Sequence, residues 1–211
     1  MISLPRATIN QSSPLNMNST ATRYDLSKAL EIYTNTVAPL LAQYQAESNA
    51  GGQMRSATGD LFETVAQAII YAVDESIVCK HNDYIAIESS PGSGRFNKVQ
   101  VDLHLYKDGE LLALVECKTY LDKSMLTRAV AEVGYIREEF PDVPAAIFMG
   151  QMATDIERLE WMQDRHGFET FTVNQTKQRR SDKPIFKTGD SLDDEAMQSF
   201  AAWIQSLVDT F

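Results

Sequence analysis

The segment Leu111–Lys118, LLALVECK, constrains the fold more than any other part of the chain. Its first five residues are all apolar, so a strand built from them has no face to turn toward water. Only a central strand covered on both sides accommodates such a run. Glu116 and Lys118 then place a carboxylate and an ammonium two residues apart on one face. Ala145–Gly150 (AAIFMG) is a second strand buried by composition. Between the two, Leu126, Ala129, Val130, Val133 and Ile136 recur at helical spacing over about Ser124–Glu139. A buried strand, a helix and another buried strand imply an α/β fold, a mixed central β-sheet flanked by helices.

The rest of the chain fits one domain. Residues 1–23, rich in Ser, Asn and Thr, read as a flexible N-terminal arm before a single domain over 24–211. From Tyr24 an apolar helical stripe runs through Leu26, Leu30, Tyr33, Val37 and Leu41, and Pro39 should kink or split it. A second helix is expected over about Thr58–Val73, with Asp60 and Glu63 reading as a capping box at its start. Tyr84–Glu88 reads as a short strand, and Pro91–Gly94 as a loop leading to Arg95 and Lys98. Val99–Tyr106 alternates: Val99, Val101, Leu103 and Leu105 face one way, and Gln100, Asp102, His104 and Tyr106 the other. Further on come a helix over Thr154–Arg165, a strand over Phe168–Val173, an aperiodic stretch 174–191 and a last helix from about Leu192. Trp161 and Trp203 fall at helical spacing with apolar neighbours and are expected in the core. His104 is expected to be a strand histidine with a local hydrogen bond.

Composition excludes several classes. The two cysteines, Cys79 and Cys117, make no disulfide framework, and with three histidines they give no zinc spacing. No apolar run approaches the ~20 residues needed to span a bilayer. The first residues carry no apolar signal region, so a cytoplasmic protein is expected. The net charge of −10 runs against a nucleic-acid partner. Phosphate neutralisation is local, however, and basic residues gather at Arg95 and Lys98 and at Lys177, Arg179, Arg180, Lys183 and Lys187. The second group is either a solvated loop or a DNA contact.

The chemistry concentrates in Asp102, Glu116 and Lys118. Two carboxylates can hold Mg²⁺, a hard cation that prefers oxygen. A neighbouring lysine can orient water or offset charge on a phosphate. Asp102 in VQVD and Glu116-Cys117-Lys118 in LVECK resemble the motif of the PD-(D/E)XK nuclease superfamily, and within it the type II restriction endonucleases. The expected order of elements over residues 58–150 is helix, three strands, helix, strand, which is that superfamily's αβββαβ core. Val101 stands where the name-giving proline would be. The resemblance implies that Asp102 and Glu116 are metal ligands, joined by the Cys117 backbone carbonyl, and that Lys118 activates the attacking water. Glu63 matches an acidic position that some members use for metal, although a capping-box role would occupy it instead. Cys117 itself should face the core. The resemblance further implies a Mg²⁺ cofactor, double-stranded DNA as substrate and a homodimer. It also implies a DNA methyltransferase encoded nearby. Three alternatives stay open: a repair or junction-resolving nuclease on the same core, an inactive DNA-binding module, and a binding protein without a nucleic-acid partner.

Strand parity adds a geometric condition. A regular hairpin with Asp108-Gly109 as its turn would send Asp102 and Glu116 to opposite sheet faces. A shared metal therefore requires a three-residue loop, Lys107-Asp108-Gly109, with Gly109 at positive φ, or else a bulge elsewhere in the pair.

Overall fold

In the computed structural model, residues 22–46, 52–89, 92–152, 154–174 and 191–211 are described. The expected arm falls outside them except at its end, where Arg23 pairs with Asp194. The basic stretch Lys177, Arg179, Arg180, Lys183 and Lys187 also lies outside the described residues.

The architecture is mixed α/β. A five-stranded sheet has the order β1-β4-β5-β6-β7, from strands β1 (Val78–His81), β4 (Leu103–Lys107), β5 (Glu110–Leu121), β6 (Ala145–Met152) and β7 (Glu169–Thr172). β1, β4 and β5 are antiparallel, and β5, β6 and β7 are parallel. β2 (Tyr84–Glu88) and β3 (Phe96–Gln100) pair only with each other, as a separate ribbon. One sheet face is covered by α1 (Ser27–Ile32), α3 (Gly52–Val73) and α6 (Asp194–Thr210), whose core includes Phe62, Phe148 and Phe200. The other is covered by α4 (Lys123–Glu139), α5 (Ile156–His166) and the ribbon. β5 feeds both cores, as its composition demands: Ala113, Val115 and Cys117 on one side, Leu114 and Leu121 on the other. No helix among the described residues is long and apolar enough to cross a membrane.

Pro39 acts through its missing N–H. The first helix widens to a π-turn over Tyr33–Val37, and α2 (Ala38–Ala46) resumes after it. α3 begins at Gly52, more than a turn before the expected start, so Asp60 and Glu63 lie inside the helix and form no capping box. The freed Glu63 carboxylate points elsewhere.

The expected strand Val99–Tyr106 is two strands broken at Val101 and Asp102. Val99 and Val101 join the α4 core, while Leu103 and Leu105 join the α3 core. The alternation in the sequence runs straight through this break, but the backbone does not. The expected αβββαβ order survives in the main sheet as α3, β1, β4, β5, α4, β6. Its first strand is β1 rather than Tyr84–Glu88, and the ribbon is inserted before β4. Trp161 is 57% exposed, with the Arg165 guanidinium over its ring, which corrects the core expectation. Trp203 packs against the α3-side core as expected.

The hairpin also differs in detail. Lys107 pairs with Glu110 across a two-residue turn, and Tyr106 pairs with Leu111. Leu105 then pairs with Ala113, so Leu112 is an extra, bulged residue. The three-residue loop is absent, and the bulge lies within the pair instead. Gly109 has φ of 89°, as expected.

Candidate metal and catalytic site

Asp102 sits in the break between the ribbon and β4. Beyond Leu103, which pairs with Val115, the register sets Asp102 opposite Glu116. The backbone N–H of Asp102 donates to Glu116 Oε2 at 3.4 Å, and that of Cys117 donates to Asp102 Oδ2 at 2.8 Å. Lys118 follows Glu116 on the same face. Its Nζ donates to Asp102 Oδ2 at 3.0 Å and to the Cys117 carbonyl at 3.2 Å, and it pairs with Glu116 Oε1. The structure thus brings Asp102, Glu116 and Lys118 together. The Cys117 side chain faces the core, where burial pushes its thiol pKa well up.

Burial governs the electrostatics. Glu116 is 3% exposed, and its pKa is raised first by that burial and then by the Asp102 charge. Burial alone would lower the Lys118 ammonium, but Glu116 and Asp102 outweigh it and hold its pKa above normal. The lysine therefore stays cationic while buried Glu116 resists ionisation, a state that favours a further positive charge nearby.

Glu63 reaches the cluster from α3. It is 5% exposed, with its pKa raised to about 8, first by burial and then by Asp102 and Asp60. Its Oε2 lies 3.2 Å from His81 Nδ1, a hydrogen bond whose donor depends on where the proton resides. Among the described residues no group of three or more His, Cys, Asp or Glu side chains is arranged to hold a metal ion. What the site offers is two carboxylates and a main-chain carbonyl, whose three oxygens already surround one cationic nitrogen. This hard-oxygen set suits Mg²⁺, which keeps several waters and takes one or two carboxylates.

Lys98 lies on the ribbon and Arg95 just before its second strand; both are exposed, with Lys98 Nζ 5.5 Å from the centroid of the Tyr84 ring. His104 is fully buried, and neither ring nitrogen has a hydrogen-bond partner among the described residues, contrary to the local bond expected. Two neighbours of the site were not anticipated. His81 lies on β1, a strand with no alternating pattern to reveal it. Arg128 lies on α4, bonded to Glu132 at 2.8 Å, and its pKa is raised by Glu132 first and also by Glu116 and Asp102. Its signal in the sequence was the i, i+4 pair on a helix that begins just after β5.

No protein-family model matches the chain, and no curated protein does. Among solved structures, the chain is similar to a restriction endonuclease PspGI–substrate DNA complex, with a TM-score of 0.40 and 12% identity over 88% of this chain and 78% of that one. It is also similar to the native BbvCI A2B2 tetramer, with a TM-score of 0.37 and 11% identity over 87% of this chain and 92% of that one. At this level neither likeness carries the chemistry, which rests on the distances above.

Proposed function

We propose that this protein is a Mg²⁺-dependent type II restriction endonuclease that hydrolyses double-stranded DNA at a specific sequence. It would act as a cytoplasmic homodimer, paired with a DNA methyltransferase encoded nearby. The observation that carries this reading is the Lys118 ammonium held by oxygens of Asp102, Glu116 and Cys117. Asp102, Glu116 and the Cys117 carbonyl would hold the cation, with the Glu63 carboxyl group nearby adding negative charge when ionised. Mg²⁺ would supply Lewis-acid polarisation of the scissile phosphate and a lowered pKa for the attacking water. Lys118 orients that water and offsets charge developing on the phosphate. Arg128 and Arg95 would meet the flanking phosphates, Lys98 would also face the DNA, and Lys177, Arg179, Arg180 and Lys183 would add to them.

The test is digestion of a supercoiled plasmid with Mg²⁺ and with EDTA. Discrete fragments in Mg²⁺ alone are expected, whereas structure-dependent nicking would indicate a repair or junction-resolving enzyme. Asp102→Ala and Glu116→Ala should each abolish cleavage while DNA binding survives, since removing a carboxylate does not weaken attraction to phosphate. Wild-type turnover by both variants would overturn the site.

A further inference from the structure

The β2–β3 ribbon has one covered face and one bare face. Ile85, Ile87 and Val99 turn inward to the core beneath α4. The opposite row holds Tyr84, Ala86 and Glu88, paired with Gln100, Lys98 and Phe96. Phe96 is 62% exposed, more than any other large hydrophobic residue described, and Tyr84 is 54% exposed. Two exposed aromatic rings and a cation on one short face call for a partner.

Charge says which kind. Glu88, the acid on this face, is turned into its own loop, where its carboxylate accepts from the Gly92 and Gly94 N–H groups at 3.0 and 2.8 Å. Lys98 and the neighbouring Arg95 are left as the outward charges. Position adds continuity with the candidate site. Asn82 N–H donates to the Asp102 carbonyl at 3.0 Å, and the Gln100 amide donates to Asn82 Oδ1 at 2.6 Å. The base of the ribbon, where β2 starts and β3 ends, is therefore fastened at Asp102. Each strand has 5 residues, a length of roughly 17 Å. That spans about five base pairs, and the major groove admits a two-stranded ribbon.

We propose that this ribbon reads sequence: its outer face of Tyr84, Phe96 and Lys98 enters the major groove of duplex DNA beside the phosphate held at Asp102, Glu116 and Lys118. This assignment rests on the nuclease reading above. The experiment uses the full chain, a plasmid of known sequence, and a short duplex carrying the cleavage site mapped on that plasmid. The variants are Tyr84→Ala with Phe96→Ala, and separately Lys98→Ala. Melting temperatures should hold, because Tyr84, Phe96 and Lys98 are exposed. Affinity for the mapped duplex should fall by about 10- to 100-fold, and discrimination against single-base changes in the site should weaken. Unchanged fragments and unchanged affinity in both variants would overturn the ribbon while leaving the nuclease reading intact. A shift from dimer to monomer in sedimentation, with per-molecule affinity preserved, would overturn it in favour of a contact between copies. A wild-type chain that neither binds nor cuts the plasmid in Mg²⁺ would overturn the nuclease reading, and the ribbon assignment with it.

Discussion

Glu63→Gln tests the cost of burying an acid among others at this site. Glu63 is almost fully buried, and burial, Asp102, Asp60 and Glu116 together raise its pKa to about 8, against a reference of 4.5. The folded chain therefore holds a proton that the unfolded chain releases. This contribution to stability is complete below about pH 4.5, is lost as pH rises toward about 8, and is constant above that. At 1.36 kcal/mol per pKa unit, the loss is about 3–5 kcal/mol, the upper end assuming no relaxation. In a chain of this length each kcal/mol moves the melting temperature by about 2–4 °C, so the wild type should lose roughly 6–20 °C over this range. The substituted amide keeps the shape of the side chain and can still donate to His81 Nδ1, but it does not titrate. Thermal melts in EDTA should show a shallower slope for the variant and a higher melting temperature than wild type at about pH 8. In saturating Mg²⁺ the wild-type slope should flatten, since an added cation favours ionised Glu63. Parallel wild-type and variant profiles in EDTA would refute the reasoning, because they would mean that Glu63 ionises in the folded chain as it does in the unfolded one.

Lys118→Ala removes the ammonium between Asp102 and Glu116, so turnover should be lost; in EDTA the protein should lose about 3 kcal/mol of stability, partly restored by Mg²⁺ in chemical denaturation. Gly150→Ala drives a methyl into the Thr119 carbonyl oxygen, where β6 approaches β5 beside Lys118. The strands must part, so the urea midpoint should fall by an amount equivalent to about 1–3 kcal/mol, and cleavage should fall with it.

Elements whose residues meet one environment were legible in the sequence. β5 and β6 read as central strands because burial on both faces leaves little that is polar in them. α4 and α6 read as helices because their apolar stripes match the cores they cover. β1 did not, because an edge strand of 4 residues with only Cys79 half-buried shows no period. The break at Val101–Asp102 was invisible for a different reason: alternation records which residues want burial, not which of two cores receives them. α5 buries Leu159 on the sheet and leaves Trp161 outside, although the spacing of apolar residues gives both equal claim. Asp102, Glu116 and Lys118 came out of strand spacing and the motif they resemble. His81 is set beside them by tertiary contacts that no local pattern encodes, and the i, i+4 pairing of Arg128 with Glu132 marks a helix face without showing that it lies beside the site.

The hairpin shows how one bulge sets a register that local propensity leaves open. Asp108 and Gly109 both adopt positive φ, 51° and 89°, the requirement of a two-residue turn matched to strand twist. Glycine takes that conformation freely, and aspartate is among the residues that tolerate it. Unbroken pairing from this turn would set Asp102 opposite Val115 and Glu116 opposite Val101, with the carboxylates on opposite faces. One bulged residue restores them to the same face, and any bulge between the turn and Asp102 would do so equally. Leu112 takes the position at little cost, since Leu112 and Ala113 both join the α3-side core and no polar side chain is displaced. Leu111, Leu112 and Ala113 are all apolar, so the sequence does not distinguish which of them is the extra residue. It distinguishes only that the count must be odd if Asp102 and Glu116 are to share one cation.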